Sequence, residues 1–177
     1  MNLQSTDFDL FGLETRFAQN RSVVDARWKD LQREAHPDKF SAQGAAAQRV
    51  AMQWSVRINE AYQRLKDPLK RAAYLCELMG APVNAENNTA MPASFLMQQM
   101  DWREALDEAS SADELSRLGK DVKVARQAML LRCEQLLDDA HDYAGAVQEV
   151  RALMFVARFA SDVDARLDQM ETQERGQ

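Results

Sequence analysis

His36, Pro37 and Asp38 set an imidazole and a carboxylate on either side of a rigid ring, and they are the residues of this chain best suited to chemistry. A histidine beside an aspartate can serve as base and orienter, but a catalytic pair also needs a nearby nucleophile and a concave site. The sequence indicates neither. The same two side chains can instead make directional hydrogen bonds to another protein, with Asp38 accepting from an arginine. A metal reading would join His36 and His141 to a cysteine. Cys76 and Cys133 are isolated, with no CxxC pair, so reduced buried thiols are the plainer expectation. Upstream, Lys29 and Arg33 lie four residues apart and share a helix face with His36, where they could steer an acidic partner surface. Asp25, Asp30 and Glu34 make an ordinary solvated face the competing reading. In the second half, Asp101, Glu104 and Glu108 recur at i, i+3 and i+7, beside Leu96, Met97 and Met100. Periodicity alone assigns Leu96 and Met100 to a core, while flexible methionines beside a carboxylate stripe can form an adaptable binding patch.

These residues need elements to hold them. Asn20 can cap a helix with apolar positions Val24, Trp28, Leu31 and Ala35, and Pro37 disfavours helical geometry at His36, so that helix ends there. A longer helix follows, with Val50, Trp54, Ile58, Ala61 and Leu65 at helical spacing, until Asp67-Pro68 stops it and opens another through Met79. The tripeptide is thereby a loop presented at the tip of an antiparallel helical hairpin. Asp38 capping the next segment is the purely structural alternative for that loop. Phe8, Leu10, Phe11 and Leu13 can close the other end of the hairpin.

From Gly80 to Pro92, two prolines, three asparagines and the lack of helical apolar spacing mark a linker or turn. Beyond it the pattern predicts three helices and no strand: Phe95, Leu96, Met100, Arg103 and Leu106 on the first; Leu115, Leu118, Val122, Ala125, Met129 and Leu136 on the second; Val147, Val150, Leu153, Ala157 and Leu167 on the third. The expected organisation is all-α: a hairpin domain over residues 1–80, a linker over 81–92 and a three-helix bundle over 93–177.

Composition sets further bounds. At 177 residues and 46% hydrophobic, the chain can form one globular domain or two small ones. Residues 1–80 hold 12 Lys+Arg against 10 Asp+Glu, and residues 81–177 hold 10 against 18, so the halves are expected to meet different partners. An overall charge of -6 gives a nucleic-acid role little support. No signal peptide or membrane span is visible, which leads to the expectation of a cytosolic protein.

The run from His36 through Phe40, with Ile58-Asn59-Glu60-Ala61-Tyr62-Gln63-Arg64-Leu65-Lys66-Asp67-Pro68 after the long helix, resembles a J-domain, the module by which DnaJ-type proteins activate DnaK-type ATPases. Phe11-Gly12-Leu13, Leu31-Gln32-Arg33, Phe95-Leu96-Met97, Arg103-Glu104 and Leu106-Asp107-Glu108 resemble, more narrowly, the HscB-type co-chaperone of iron-sulfur cluster assembly, over nearly the whole chain. The resemblance implies two partners. A specialised DnaK-type, HscA-like chaperone would dock on His36, Pro37 and Asp38 with Lys29 and Arg33. An IscU-like iron-sulfur scaffold protein would be held by Leu96, Met97, Met100, Asp101, Glu104, Glu108 and Phe155. Phe155 matches an aromatic used in the family and falls off the core stripe of its helix, which points to exposure. Asp101 stands where a glutamate is more usual. The resemblance implies no catalysis on this chain and no cofactor of its own. A general DnaJ-like chaperone for unfolded polypeptides is the nearer rival, but the chain has only 6 Gly and no glycine/phenylalanine-rich segment or cysteine-repeat zinc domain.

Overall fold

In the computed structural model, which describes residues 4–85 and 89–175, the chain is all-α, with no strand among the described residues. The helices are α1 (Asp7–Phe11), α2 (Arg21–Glu34), α3 (Ala45–Lys66), α4 (Pro68–Leu78), α5 (Ala93–Glu108), α6 (Ala112–Glu134) and α7 (Tyr143–Arg175). Two compact units divide inside α4, between Leu75 and Cys76.

The first unit is the expected helical hairpin. Asn20 caps α2, its side-chain oxygen accepting from the N–H groups of Ser22 and Val23. Val24 and Leu31 of α2, and Ala35 that caps it, are buried with Ala51, Ile58, Ala61 and Leu65 of α3. Val50 does not belong to this core, being 51% exposed, and Ala51 takes the buried place. Below the pair, Asp67 accepts from the N–H groups of Leu69 (2.8 Å) and Lys70 (3.1 Å), so it caps α4 just ahead of Pro68. Phe8 and Phe11 of α1 fill the open end of the hairpin, and a buried carboxylate fixes that helix in place. Asp7 is fully buried, Arg57 Nη1 approaches its Oδ1 to 2.7 Å, and Arg64 donates to both of its oxygens. The hydrogen bond from Asp7 is the main reason the Arg64 guanidinium holds its proton more tightly than an ordinary arginine. Two cations around one buried anion satisfy the requirement that a charge taken from water be paired.

The second unit packs α5, α6 and α7. Ser111 and Glu114 form a capping box at the head of α6. Hydrogen bonds, chiefly from the Ser110 N–H, hold the Glu114 carboxyl below the usual carboxylate range. Leu115, Val122, Met129 and Cys133 of α6 meet Val150, Leu153 and Val156 of α7 in the core. α6 passes into a π-helical turn over Gln135–Asp139, the chain reverses at His141 (φ 52°), and Asp142 accepts from the Gly145 N–H at 2.9 Å to start α7. Ala157, expected inside, is exposed. The segment after Gly80 is tied to this unit: Val83 is buried, and Arg151 of α7 donates to the carbonyls of Val83 (2.8 Å) and Ala90 (3.3 Å). Positions 86–88 of the expected linker lie outside the described residues.

Candidate functional sites

α2 stops at Glu34, and Ala35 closes it by donating to the Leu31 carbonyl at 2.9 Å. His36 then takes an extended backbone (φ -64°, ψ 126°), as the residue before a proline should, and Pro37 opens a short 3-10 helix, Pro37–Gln43, ahead of α3. This 3-10 turn separates the tripeptide from the long helix, which begins only at Ala45. The residue that caps the turn is not Asp38. His36 Nδ1 accepts the Asp38 backbone N–H at 3.3 Å, so the ring does the capping and the Asp38 carboxylate is released to solvent, 91% exposed. The same Nδ1 lies 3.6 Å from an Asp38 carboxylate oxygen, so the ring and the carboxylate reach solvent side by side. Lys39 N–H bonds the His36 carbonyl at 3.1 Å and Ser41 Oγ bonds that of Asp38 at 2.8 Å, so the loop backbone is pinned while both functional side chains stay accessible.

Lys29 and Arg33 are exposed on α2, but Arg33 is shared with Asp30 at 3.4 Å, and Asp25, kept ionised chiefly by the hydrogen bond from Arg21, also draws on the charge of Lys29. The cationic face is therefore partly neutralised by its own helix.

In the second unit, the sequence stripe of α5 divides differently from its periodicity. Its buried residues are Phe95 and Trp102, whereas Leu96, Met97 and Met100 are 48%, 72% and 71% exposed. Leu96 and Met100 are thus surface, as a binding patch requires and unlike the core place that periodicity alone favours. Helical spacing puts Asp101, Glu104 and Glu108 on the same outward side as Met97 and Met100, and all three carboxylates are exposed.

Beneath this face lies an aromatic cluster that the sequence pattern did not reveal. Trp102 stacks on Phe159 (centroids 5.6 Å apart), Phe159 on Phe155 (5.9 Å), and Phe95 meets Phe155 edge-on at 5.7 Å. Phe155 is half-buried rather than freely exposed, and the guanidinium of Arg103 sits 5.3 Å over its ring. Trp102 was detectable, since it stands at i+7 from Phe95. Arg103 over Phe155 was not, because the two are far apart in sequence. Leu96, Gln99, Arg103, Leu106, Phe155 and Arg158 line a groove of about 650 Å³ between α5 and α7, so the structure brings Phe155 to the Leu96 edge of the patch.

The other sequence candidates sit elsewhere. His141 lies in the turn before α7, its Nδ1 3.1 Å from the Leu137 carbonyl. Burial pushes the Cys76 thiol up to about 11 and the Cys133 thiol up to about 12, so neither carries thiolate at neutral pH. Among the described residues, no cluster of His, Cys, Asp and Glu is placed to hold a metal ion, and no helix is long and apolar enough to cross a membrane.

A hairpin thus lifts a His-Pro-Asp loop into solvent, and a second helical unit follows it in the chain. Comparison with known proteins gives the class. A family described as the HSCB C-terminal oligomerisation domain matches residues 91–164. The co-chaperone protein HscB homolog of Burkholderia multivorans is 46% identical over 175 residues, covering 97% of this chain and 99% of that protein. That of Burkholderia mallei is 47% identical over 174 residues, with the same coverage. Among solved structures, the chaperone HscB from Vibrio cholerae superposes with a TM-score of 0.81 at 31% identity, over 94% of this chain and 99% of that one. The human co-chaperone protein HscB, at 23% identity and a TM-score of 0.83, covers 97% of this chain and 84% of its own, and shares the fold. The chain belongs to the HscB family of co-chaperones of iron-sulfur cluster assembly.

Proposed function

We propose that this chain is a non-enzymatic cytoplasmic adaptor that brings an IscU-like iron-sulfur scaffold protein to an HscA-like DnaK-type chaperone and stimulates that chaperone's ATPase. The supporting observation is that each unit exposes the side chains such a role requires: Asp38 is 91% exposed on a pinned loop, and Met97 is 72% exposed on α5. His36 and Asp38 dock on the chaperone by charge-assisted hydrogen bonds, with Lys29 and Arg33 steering approach. Leu96, Met97, Met100 and Phe155 supply the apolar contact for the scaffold, and Asp101, Glu104 and Glu108 form its charged rim. Holding both partners on one chain raises the local concentration of scaffold at the chaperone, so stimulation should exceed what either half gives alone.

The test is steady-state phosphate release from the HscA-like chaperone with this chain, with the scaffold, and with both together. Stimulation by the chain and a larger stimulation by the mixture are expected. Equal binding to any unfolded polypeptide, with no preference for the scaffold, would replace this reading by a general DnaJ-like one.

A further inference from the structure

α2 and α3 are joined by a ladder of polar contacts that ends at the functional loop. At its far end, Tyr62 Oη donates to Asp25 at 2.9 Å, and Trp28 stacks on Tyr62 with ring centroids 4.7 Å apart. One turn on, the Asn59 side-chain oxygen accepts both Trp28 Nε1 (2.9 Å) and Gln32 Nε2 (2.8 Å). Gln32 also donates to the backbone carbonyl of Ser55 at 3.2 Å. The last rung is the Ser55 hydroxyl, which donates to the Ala35 carbonyl at 3.3 Å.

That carbonyl belongs to the peptide group leading into His36, and it lies at the C-cap of α2, where carbonyls lack intrahelical donors. The rest of the ladder fixes helix against helix. Only the Ser55 rung fixes the peptide plane from which the loop departs. Rotating that plane would swing His36 and Asp38 together, because the His36 ring caps the Asp38 N–H at 3.3 Å and the two move as one turn.

We infer that Ser55 is a positioning residue for chaperone docking: its hydroxyl anchors the Ala35 carbonyl and so sets the direction in which His36 and Asp38 are presented, with Gln32 holding Ser55's own backbone in register. The inference rests on the proposed docking role of the loop. It assigns a residue outside the loop, on the neighbouring helix, to that interface's preorganisation.

The experiment uses full-length chain carrying Ser55→Ala, Ser55→Thr or Ser55→Cys. Loss of one such hydrogen bond should raise the concentration needed for half-maximal ATPase stimulation about fivefold. The maximal stimulation should stay the same, because the docked state is unchanged. Ser55→Thr, which restores a hydroxyl, should bring the value back. Ser55→Cys keeps the volume with a weak donor and should behave like Ser55→Ala, which preserves the test if alanine lowers stability. In parallel, nuclear magnetic resonance of the free protein should show the His36 ring and Asp38 amide signals shifted in Ser55→Ala and restored in Ser55→Thr. Unmoved His36 and Asp38 signals in Ser55→Ala and Ser55→Cys would overturn the inference, as would moved signals with an unaltered stimulation curve. Failure of the wild-type chain to stimulate at all would instead remove the proposed docking role, and the resonance shifts would still decide whether Ser55 orients the loop.

Discussion

Met97→Ala is the cleanest probe of the second surface, because the side chain it removes does little for the fold. Met97 is 72% exposed, so truncation should change stability by under about 0.5 kcal/mol. Full burial of a methionine side chain contributes roughly 1.5–3 kcal/mol, and most of Met97 remains available for burial by a partner. Docking should therefore gain about 1.5–2 kcal/mol from it, and Met97→Ala should weaken scaffold binding roughly 10- to 30-fold. Phe155→Ala is a different case. Phe155 packs on Phe95 at 5.7 Å and Phe159 at 5.9 Å and lies under Arg103, so its removal disturbs the bundle as well as the interface. Two aromatic contacts and a half-buried ring suggest a stability loss of about 2 kcal/mol. Isothermal calorimetry with the scaffold, alongside chemical denaturation of each variant, separates the two effects. Met52→Ala is the control: Met52 is 60% exposed on α3, has the same chemistry and lies outside the patch, so it should leave scaffold affinity unchanged. Affinity within twofold of wild type for Met97→Ala would refute the assignment of α5 as the docking face.

Asp38→Asn should abolish most of the ATPase stimulation with helical content and melting temperature unchanged, since its carboxylate is 91% exposed; a loss of stability comparable to the loss of stimulation would contradict the loop's docking role. Asp7→Ala should cost the first unit about 3 kcal/mol in urea denaturation, because Arg57 and Arg64 lose the buried anion between them, and a loss below about 1 kcal/mol would show the network to be slack. The two cysteines predict an alkaline limit. Their folded pKa values, about 11 for Cys76 and about 12 for Cys133, lie above the ordinary 9.0, so the unfolded chain sheds these protons first. The stability contributed by the neutral thiols is complete below pH 9 and is lost as pH rises toward 12. At pH 8, thiol reagents should label the native protein only as fast as it opens, and immediate labelling of both cysteines would contradict their burial.

What the sequence disclosed follows from the range of the forces involved. Asn20, Asp67 and Pro68 act within a turn of backbone, so their positions announce the helix ends. The α2 and α3 cores were legible for the same reason, apart from Val50. Asp7 was opaque, because its partner Arg64 lies 57 residues away and a local pattern shows only one more acid near an N-terminus.

On α5, periodicity by itself is ambiguous for a more instructive reason. Apolar residues at helical spacing say that a face will be covered, not whether its own chain will cover it. Leu96 and Met100 fit a core stripe as well as Phe95 does, and the deciding feature is Trp102, which gives α5 a second and bulkier apolar side. Once Phe95 and Trp102 are seated against Phe155 and Phe159, Met97 and Met100 have no place inside. The exposed methionines are then surplus to the fold. On a helix that already has a core, apolar surface kept in water beside three carboxylates is best accounted for by a partner that buries it.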